Sequence, residues 1–374
     1  AGRQLLNALK QSKEYNPIAF IDNSKSIHNT IINGLRVYSP DNLQRLIDTN
    51  DVKAVLIAMP SLKRSHRQEI ISFLEPYKVI VRSVPGVAEL AQGKVKVNDL
   101  LEIDLSDLLG RDSVKPNKEL FKKNISNKVV MVSGAGGSIG SELCRQIVLL
   151  KPKMLVLYEL SEPSLYQIDQ ELKDIDVFNI EIYPIIGSIS DKDRALKICE
   201  YYGVQTIYHA AAYKHVPMME LNPLEAVRVN IFGTKVLADL CVKYNVGKMV
   251  FVSTDKAVNP TNVMGCSKRI AEIYAQSANQ LNKTKFITTR FGNVLGSNGS
   301  VIPLFKKQIE KGGPVTVTDE RITRFFMTIP EACNLVLEAG TMGKGFEIFI
   351  FDMGESVRIY DLASKMVKLS GLEA

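Results

Sequence analysis

A glycine-rich turn between an apolar strand and a helix constrains the fold of this 374-residue chain more than any other feature. Gly134, Gly137 and Gly140 follow the apolar run of residues 129–132 and open a helical pattern. Glycine allows a tight turn, and it lets backbone N–H groups at a helix N-terminus come close to a pyrophosphate. The order strand, turn and helix therefore predicts the first unit of a parallel α/β sheet that binds a dinucleotide.

The residues after the next strands indicate which dinucleotide binds. Glu159 ends the second strand, where an acid accepts both ribose hydroxyls and repels a ribose 2′-phosphate, so the sequence favours NAD over NADP. The other predicted cofactor contacts are small or apolar side chains in the turn or after a strand: Ser138, Ile139, Ser188, Ile189, Ala210 and Ala211. Ser188 is expected near the adenine, and the alanines let the cofactor lie close to the backbone.

Strands that alternate with helical patterns predict two α/β blocks joined by a polar segment. Residues 1–105 are expected to form a smaller, truncated nucleotide fold with a parallel, wound sheet, and residues 106–127 a connector. Residues 128–374 are expected to form a Rossmann-type, doubly wound parallel sheet with a C-terminal substrate-binding region. Asp22 ends a strand of the first block where a ribose-binding acid would fall, and a structural or regulatory role without a ligand is the alternative.

Composition and charge exclude several functional classes. The net charge of +7 is modest and the lysines are scattered, so no nucleic-acid-binding patch is predicted. The 5 cysteines form no C-x-x-C pair and the 4 histidines form no cluster, which predicts reduced thiols and no metal site. No apolar run reaches the roughly 20 residues of a membrane span, so the chain itself is expected to be soluble.

A methionine stands where a tyrosine would complete the predicted catalytic pair. Met264 and Lys268 have the spacing of a Tyr-x-x-x-Lys motif, but a thioether cannot exchange a proton. Another group must therefore handle the substrate hydroxyl, while Lys268 is expected to bind and orient the nicotinamide ribose. A core methionine that fills space on its helix is the alternative interpretation of Met264.

Thr254, Asp255 and Lys256 follow another apolar strand and are the nearest polar candidates in the sequence. Open α/β sheets bind their ligands at the carboxyl ends of the strands, so these side chains are expected in the reactive site. Opposed roles for neighbouring residues are compatible with this position, because side chains no longer alternate across the sheet once the strand has ended. A solvated surface pair is the alternative for Asp255 and Lys256.

The segment around residues 209–217 contributes further candidates. His209 ends a strand and has no evident partner, so it is expected in the core or the cofactor pocket rather than as an acid or base. Lys214 and His215 lie in the following loop and are expected to face the substrate. Asn230 falls within a helical pattern beside the site, where it would support the sheet or a bound water.

Six motifs together resemble those of the extended short-chain dehydrogenase/reductase superfamily over roughly residues 100–370. They are G-A-G-G-S-I-G, H-A-A-A-Y-K-H-V-P, N-I-F-G-T, S-T-D-K-A, M-G-C-S-K and R-F-G-N-V-L-G-S-N-G-S. The Met-x-x-x-Lys pair narrows the resemblance to the long-form UDP-N-acetylglucosamine 4,6-dehydratases of bacterial protein-glycosylation and capsule pathways. The resemblance implies an NAD-dependent lyase that converts UDP-N-acetylglucosamine to a UDP-4-keto-6-deoxy acetamido sugar.

The resemblance also implies substrate contacts, assembly and location. The positions that match the nucleotide-sugar contacts of the family are Asn293, Ser300, Val301, Pro303, Arg324 and Arg358. Asn293 and Arg324 match diphosphate ligands, and Arg358 is a weaker candidate. Longer members carry N-terminal membrane helices, which implies a full-length protein on the cytoplasmic side of the bacterial inner membrane, held by segments absent from this chain. A homodimer or a higher homo-oligomer is likewise implied.

The implied reaction assigns a role to each polar side chain after the strand. Thr254 would hydrogen-bond the C4 oxygen, and Asp255 or a water would take the C4 hydroxyl proton. Asp255 would then protonate the departing C6 hydroxyl, while Lys256, as a neutral amine, would remove and return the C5 proton with retention at C5. The alternatives are a UDP-sugar 4-epimerase, a C5-inverting dehydratase, and a nucleotide-sensing protein that has lost catalysis.

Overall fold

A computed structural model describes residues 1–11, 15–59, 62, 64–83, 101–102, 117–297 and 299–373. The chain divides into two compact units. The first unit comprises Ala1–Asp112, Val301–Arg324 and Val357–Ala374, and the second comprises Ser113–Ser300 and Phe325–Ser356. Residues 106–116 of the predicted connector lie outside the described residues, whereas residues 117–127 belong to the second unit.

The second unit is built on a seven-stranded sheet in which every neighbouring pair of strands is parallel. In spatial order the strands are Ile348–Ile350, Lys285–Phe291, Lys248–Thr254, Thr206–His209, Val129–Ser133, Met154–Glu159 and Glu181–Ile186. The strand order reverses beside Val129–Ser133, which creates the crevice where ligands of such sheets bind. The doubly wound parallel sheet is therefore confirmed, with the edge strand Ile348–Ile350 in addition to the predicted strands.

Alternate residues of the strands enter two hydrophobic layers, one on each face of the sheet. Val130 and Val132 pack in one cluster, and Val129 and Met131 pack in the other. Helices cover both faces, as nearly continuous apolar strands require. The helices are Lys118–Ile125, Ser138–Val148, Glu162–Ile175, Lys192–Tyr202, Val216–Leu221, Pro223–Ala226, Thr234–Lys243, Val263–Ala278 and Ile329–Met342. The short elements are a π-helical turn, Val227–Gly233, the 3-10 turns Asp255–Ala257 and Asn279–Leu281, and the paired strands Asn293–Val294 and Phe326–Met327.

Small sheets and separate helices make up the described part of the first unit. Its strands, sheet by sheet, are Phe20–Ile21, Leu35–Tyr38 and Ile31–Ile32, then Ala54–Ile57, Ile80–Ser83 and Leu101–Glu102, then Thr323–Arg324 and Val357–Arg358. Its helices are Gly2–Gln11, Leu43–Asn50, Arg64–Leu74, Val301–Glu310 and Ile359–Leu369, with 3-10 turns at Lys25–Ile27 and Pro40–Asn42. Along residues 1–83 strands and helices alternate except at the consecutive strands Ile31–Ile32 and Leu35–Tyr38.

The first unit departs from the single parallel sheet expected for residues 1–105. Each of its three-stranded sheets combines one parallel pair with one antiparallel pair. The antiparallel pairing of Ile31–Ile32 with Leu35–Tyr38 follows from Asn33 and Gly34, whose φ angles of 48° and 89° suit a two-residue hairpin turn. An Asn-Gly pair between two apolar runs predicts a hairpin. The expectation that helices connect all the strands of this block does not allow for it.

By compactness, residues 301–324 and 357–374 group with the N-terminal residues. The sequence instead predicts them within the second block. Within the first unit, Lys368 Nζ lies 3.1 Å from a carboxylate oxygen of Glu75, and Ile80 forms a β-bridge with Ser370. These contacts attach the C-terminal helix to the strand and helix before residue 84. The domain boundaries drawn from the sequence stay a prediction, because compactness and independent folding are different properties.

Membrane-spanning helices, metal-binding clusters and disulfide bonds are absent from the described part of the chain. No helix there is both long enough and apolar enough to cross a membrane. No group of three or more histidine, cysteine, aspartate or glutamate side chains there could hold a metal ion. All 5 cysteines are described and each is a free thiol, with Cys266 exposed and the other four buried.

Candidate active site

The glycine-rich turn forms a cradle that side chains would fill. Gly134 has a φ of 73°, and a Cβ atom there would lie 2.7 Å from the backbone nitrogen of Ala211. A Cβ atom at Gly140 would lie 1.9 Å from the carbonyl oxygen of Gly134, so only glycine lets the helix start this close to the turn. Gly137 has more room, at 3.3 Å from the same oxygen, and as the N-cap it offers no side chain to compete with an anion for helix N–H groups.

Glu159 fastens the turn through its carboxylate. It accepts hydrogen bonds from the backbone N–H groups of Gly136 at 2.9 Å, Leu160 at 2.8 Å and Ser161 at 2.9 Å. A Cβ atom at Gly136 would lie 2.5 Å from Cβ of Ser164, so this position, which the sequence spacing does not single out, also requires glycine. A carboxylate is only an acceptor and keeps free lone pairs after three bonds, which suits ribose hydroxyls and opposes a phosphate.

The other predicted cofactor residues lie where the sequence places them, after strands and at the helix start. Ser138 and Ile139 begin the helix after the turn, and the backbone nitrogen of Ala210 donates to Ser133 at 3.0 Å. The carbonyl oxygen of Ser188 accepts the hydroxyl of Tyr158 at 2.6 Å. The loop that contains Ser188 and the buried Ile189 is therefore held to the second strand of the cofactor half.

His209 is a buried residue with both ring nitrogens occupied. Its Nδ1 lies 2.7 Å from Oγ of Ser133 and its Nε2 lies 2.9 Å from Oγ1 of Thr234. The Thr234 hydroxyl donates its one proton to the carbonyl of Asn230, so Nε2 of His209 must donate and Nδ1 must accept. Burial, together with the charge of Lys268, lowers the pKa of His209 well below its ordinary value. The neutral, fully bonded ring agrees with the expected core position and not with acid–base work.

Asn230 supports the loop that carries Lys214. In the π-helical turn, its side chain exchanges two hydrogen bonds with the backbone of Tyr213, each 2.9 Å long. It also donates to Oγ of Ser267 at 2.9 Å, which ties the loop to the helix Val263–Ala278. Asn230 therefore supports this loop, whereas it is expected from the sequence to support the sheet. Partial burial of the ammonium lowers the pKa of Lys214, although the side chain as a whole is exposed.

Lys268 is buried beside the end of a central strand. Its Nζ donates to the carbonyl of Val252 at 2.8 Å and lies 4.0 Å from the ring centroid of Phe251. Burial lowers the pKa of Lys268 to about 7, against the opposing effect of the Glu272 charge. Near neutral pH the side chain is therefore present both as an ammonium and as an amine.

A buried ion pair supports the helix of Lys268. Arg290 Nε donates to Oε1 of Glu272 at 2.8 Å and Arg290 Nη2 to Oε2 at 2.5 Å, and Arg269 adds a third bond at 3.1 Å. Burial by itself would raise the pKa of Glu272, but the hydrogen bonds from Arg290 lower it. The pair joins the helix Val263–Ala278 to the strand Lys285–Phe291. Neither residue is predicted; the signal is a glutamate one turn after Lys268, on the buried face of the helix.

The residues after the strand form one connected polar cluster. The hydroxyl of Thr254 donates to Oδ1 of Asp255 at 2.9 Å, and Nζ of Lys256 donates to the same oxygen at 3.0 Å. Nζ of Lys256 also donates to Oδ1 of Asn293 at 3.1 Å. The 3-10 turn that follows the strand lets these neighbours converge, and the Lys256 side chain is only 31% exposed. We call Thr254, Asp255, Lys256 and Asn293 the strand-end cluster.

Met264 lies in the core and not among polar groups. Its side chain is 3% exposed and packs in a small cluster with Met219 and Ala226. The next residue, Gly265, would place a Cβ atom 2.3 Å from the carbonyl oxygen of Lys256, so the helix begins in close contact with the turn of the strand-end cluster. The structure thus supports the space-filling interpretation of Met264, and it adds Gly265 as a position where a side chain does not fit.

The predicted nucleotide-sugar contacts belong to both units. Lys214, His215, Asn293 and Ser300 lie in the second unit, and Val301, Pro303, Arg324 and Arg358 lie in the first. The ring of His215 packs on Gly299, where a Cβ atom would lie 2.3 Å from Cε1 of the ring. In the first unit, the pairing of Thr323–Arg324 with Val357–Arg358 places two exposed arginines on adjacent strands.

Comparison with known proteins agrees with this geometry. A family model described as a polysaccharide biosynthesis protein matches residues 130–374. The chain is 44% identical to the capsular polysaccharide biosynthesis protein CapD of Staphylococcus aureus, over 99% of this chain and 62% of that protein. It is 35% identical to an inverting UDP-N-acetylglucosamine 4,6-dehydratase of Campylobacter jejuni, over 67% of this chain and 75% of the relative. It is 34% identical to a UDP-glucose 4-epimerase of Rickettsia canadensis, over 60% of this chain and 66% of the relative.

A solved structure shows the same fold. The dTDP-glucose 4,6-dehydratase DesIV of Streptomyces venezuelae, a double mutant with NAD bound, aligns with a TM-score of 0.58 and 21% identity. The alignment covers 65% of this chain and 81% of that one. The chain spans less than two thirds of the length of the first curated relatives that it matches, at 62% of each.

Proposed function

This chain belongs to the polysaccharide biosynthesis protein family, and from that membership we propose that it is an NAD-dependent nucleotide-sugar 4,6-dehydratase. The proposed substrate is UDP-N-acetylglucosamine, and the product is a UDP-4-keto-6-deoxy acetamido sugar. The strand-end cluster carries the proposal, because Thr254 and Lys256 both bond Oδ1 of Asp255, at 2.9 and 3.0 Å. A hydroxyl, a carboxyl group and an amine in contact are what dehydration needs when no tyrosine is available.

The cradle fits NAD. Gly134, Gly136 and Gly140 leave no room for a Cβ atom, and Glu159 presents a carboxylate beside the turn. These residues would hold the pyrophosphate and the adenosine ribose, and Lys268 would hold the nicotinamide ribose. NAD held there would supply a reversible hydride acceptor for C4 and C6 of the sugar, so the overall reaction would involve no net oxidation.

Asp255 takes the place of the missing tyrosine in the first proton transfer. The proton of the C4 hydroxyl moves to the Asp255 carboxylate, either directly or through the Thr254 hydroxyl, which already donates to Asp255. The ammonium form of Lys268 stabilises negative charge on the C4 oxygen as this proton leaves. Loss of this proton together with removal of the C4 hydrogen as hydride leaves a ketone at C4, and the ketone acidifies the hydrogen at C5.

The same proton then leaves with the C6 hydroxyl as water. A protonated Asp255 no longer forms an ion pair with Lys256, and in the proposed step Lys256 gives a proton to solvent. The resulting amine removes the C5 proton while Asp255 protonates the departing C6 hydroxyl. Lys256 finally returns its proton to C5 and regains from solvent the proton that it released, so that the sugar has lost one water, Asp255 is a carboxylate and Lys256 an ammonium again.

A single base at C5 supports retention of configuration. Lys256 reaches C5 from one face, and a proton that returns from the same nitrogen restores the original configuration. The Campylobacter relative is named as an inverting enzyme, so the configuration of the product at C5 is the finer test of this assignment.

The proposed function is tested by incubating the protein with UDP-N-acetylglucosamine and NAD in deuterium oxide, followed by mass spectrometry and proton NMR. Loss of one water, a 6-methyl signal and deuterium at C5 are expected, and the coupling pattern at H5 reports the configuration. Inversion at C4 without loss of water would instead establish a 4-epimerase, which the Rickettsia relative favours. An unchanged sugar that nevertheless binds would support a non-catalytic sensor.

We also propose a homodimer or a higher homo-oligomer. Leu221 and Leu224 are 78% and 81% exposed, and Ile270 and Ile273 on the helix Val263–Ala278 are 48% and 53% exposed. Large apolar side chains on neighbouring helices favour burial against a second copy. Light scattering of the protein and of a Leu224→Glu, Ile273→Glu variant tests this, with a monomer expected for the variant.

For the whole protein we propose a location on the cytoplasmic side of the bacterial inner membrane, through segments that this chain does not contain. The longer Staphylococcus relative supports a longer protein, since the chain covers 62% of it. The same proposal includes capsule synthesis and protein glycosylation as the pathways that use the product. Fractionation of cells that express the full-length protein tests the location.

A further inference from the structure

We propose that Asn293 is a positioning residue that holds the Lys256 amine beside Asp255 for proton exchange at C5. The proposal rests on the proposed dehydratase function. It gives Asn293 a task that differs from holding the sugar diphosphate, the task implied by family resemblance. The two tasks predict different kinetic effects, so they can be separated.

The contacts of Lys256 carry the proposal. Its Nζ donates to Asp255 at 3.0 Å and to Asn293 at 3.1 Å. A lysine side chain has four flexible torsions and loses considerable entropy when it is held in one place. Two acceptors on different residues restrict the position of the ammonium, whereas Asp255 alone would leave the amine free to rotate around one oxygen.

The backbone of Asn293 is itself held by the neighbouring strand Phe326–Met327. Its N–H donates to the carbonyl of Phe325 at 3.1 Å, and the next strand residue, Val294, pairs with Met327. Leu295 continues the ladder with a bond to the same Met327 at 2.9 Å. A side chain on such a paired segment can place its amide oxygen reproducibly, although Asn293 is 37 positions away from Lys256 in the sequence.

The chemistry of an amide suits this task better than a carboxylate would. An amide oxygen accepts a hydrogen bond without a formal charge, so it orients Lys256 and adds little electrostatic preference for the ammonium. A neutral amine keeps two N–H donors and one lone pair. One donor can stay on Asn293 while the lone pair points at C5. A second carboxylate at position 293 would favour the ammonium, which has no lone pair to offer.

The test isolates the C5 proton from the rest of the reaction. The 4-keto-6-deoxy product already carries an acidic C5 hydrogen, and its exchange in deuterium oxide requires a base but no hydride transfer. Proton NMR of the product with wild-type protein, Asn293→Ala and Asn293→Asp measures this exchange. Calorimetry with UDP measures diphosphate binding separately, and Asn222→Ala, which removes an exposed amide bonded to the carbonyl of Met218, is the matched control.

A positioning role predicts that Asn293→Ala slows C5 exchange by roughly 10²-fold, the effect of about 1 Å of misplacement, while UDP affinity stays close to that of the wild type. Asn293→Asp should be slow as well, although its shape is conserved. In full turnover both variants should lose kcat and keep KM. Asn222→Ala should behave as the wild type does.

Two results would overturn the inference and leave the proposed function intact. One is wild-type C5 exchange in Asn293→Ala together with weaker UDP binding and a raised KM, which would make Asn293 a diphosphate ligand. The other is slow C5 exchange together with a lowered melting temperature in Asn293→Ala, and full activity in Asn293→Asp. This result would make the side chain structural. Absence of C5 exchange in the wild-type protein would overturn the proposed function and the inference together.

Discussion

The cofactor cradle and the strand-end cluster lie in the same unit of the chain, but they depend on different properties of it. The cradle is made mostly by the backbone of residues 134–140 and by the carboxylate of Glu159, and its glycines are required because a Cβ atom at Gly134, Gly136 or Gly140 would clash. The strand-end cluster is made by side chains, and one of its four members, Asn293, comes from a distant segment. A site made by local backbone can be located from sequence spacing, whereas a site made by converging side chains needs the fold.

The largest expected effect separates chemistry from cofactor binding. Asp255→Asn keeps the size and the acceptor oxygen of the side chain but cannot take up the C4 proton. We expect turnover to fall by roughly 10²- to 10⁴-fold, the usual contribution of an acid–base group, with NAD affinity unchanged. Rate assays and calorimetry with NAD measure the two quantities.

Asp193→Asn is the control for this change, since Asp193 is an exposed carboxylate in the first turn of another helix. Unchanged turnover in Asp255→Asn would restore the interpretation of Asp255 and Lys256 as a solvated surface pair. A parallel loss of NAD affinity would mean that the cradle and the cluster are not separable.

The next effect concerns the helix Val263–Ala278, which carries Lys268 and contacts the turn of the strand-end cluster at Gly265. Glu272→Gln leaves Arg290 without its buried partner, and breaking such a pair costs about 3–5 kcal/mol. We expect this loss in the free energy of unfolding measured with urea. Glu272→Gln combined with Arg290→Gln should lose less, because no buried charge is then unpaired. Equal losses in the single and double variants would contradict an electrostatic origin.

Much of the second unit is predictable from the sequence because several of its strands contain apolar runs, such as residues 129–132 and 249–252. The apolar run predicted as a strand at residues 129–132 agrees with Val129–Ser133, and Glu159 and His209 end strands as predicted. Apolar runs that end in polar residues also place Asp255 and Lys256 correctly at a strand end. The physical reason is that a strand buried on both faces admits few polar residues.

Other features follow from contacts that sequence spacing does not encode. Glu272 and Arg290 are 18 positions apart and meet only because a helix packs on a neighbouring strand. The position of Asn293 beside Lys256 has the same origin. In the first unit, the Asn33-Gly34 hairpin is a local signal, but the expected alternation of strands and helices hides it. The sequence patterns therefore do not predict polar contacts between distant residues, or a hairpin within an expected alternation of strands and helices.

A smaller effect tests the cradle alone. Gly140→Ala would place a Cβ atom 1.9 Å from the carbonyl oxygen of Gly134, so the helix must shift, at a cost of about 1–3 kcal/mol in unfolding free energy. We expect NAD affinity to fall as well, since the N–H groups of the helix would move. Gly137→Ala is the matched control from the same turn, with 3.3 Å to the same oxygen, and should cost less. A larger loss of stability in Gly137→Ala than in Gly140→Ala would contradict the explanation that a clash of the Cβ atom requires glycine at these positions.

The last effect to test is the pH dependence contributed by Lys268, whose Nζ donates to the carbonyl of Val252 in the strand that precedes the strand-end cluster. Its pKa is about 7 in the folded chain, against an ordinary value of 10.5, because the ammonium is buried. Between these values the unfolded chain binds more protons than the folded one, so stability rises with pH from about 7 to about 10, by at most ~1.4 kcal/mol per unit. Below pH 7 both forms are protonated, and the folded chain bears the full cost of burying the charge. The difference in unfolding free energy between the wild type and Lys268→Met, measured without NAD at several pH values, should therefore grow in favour of the wild type as pH rises. A constant difference would mean that Lys268 keeps its proton in the core, and that its neighbours Val252 and Phe251 compensate the charge without help from deprotonation.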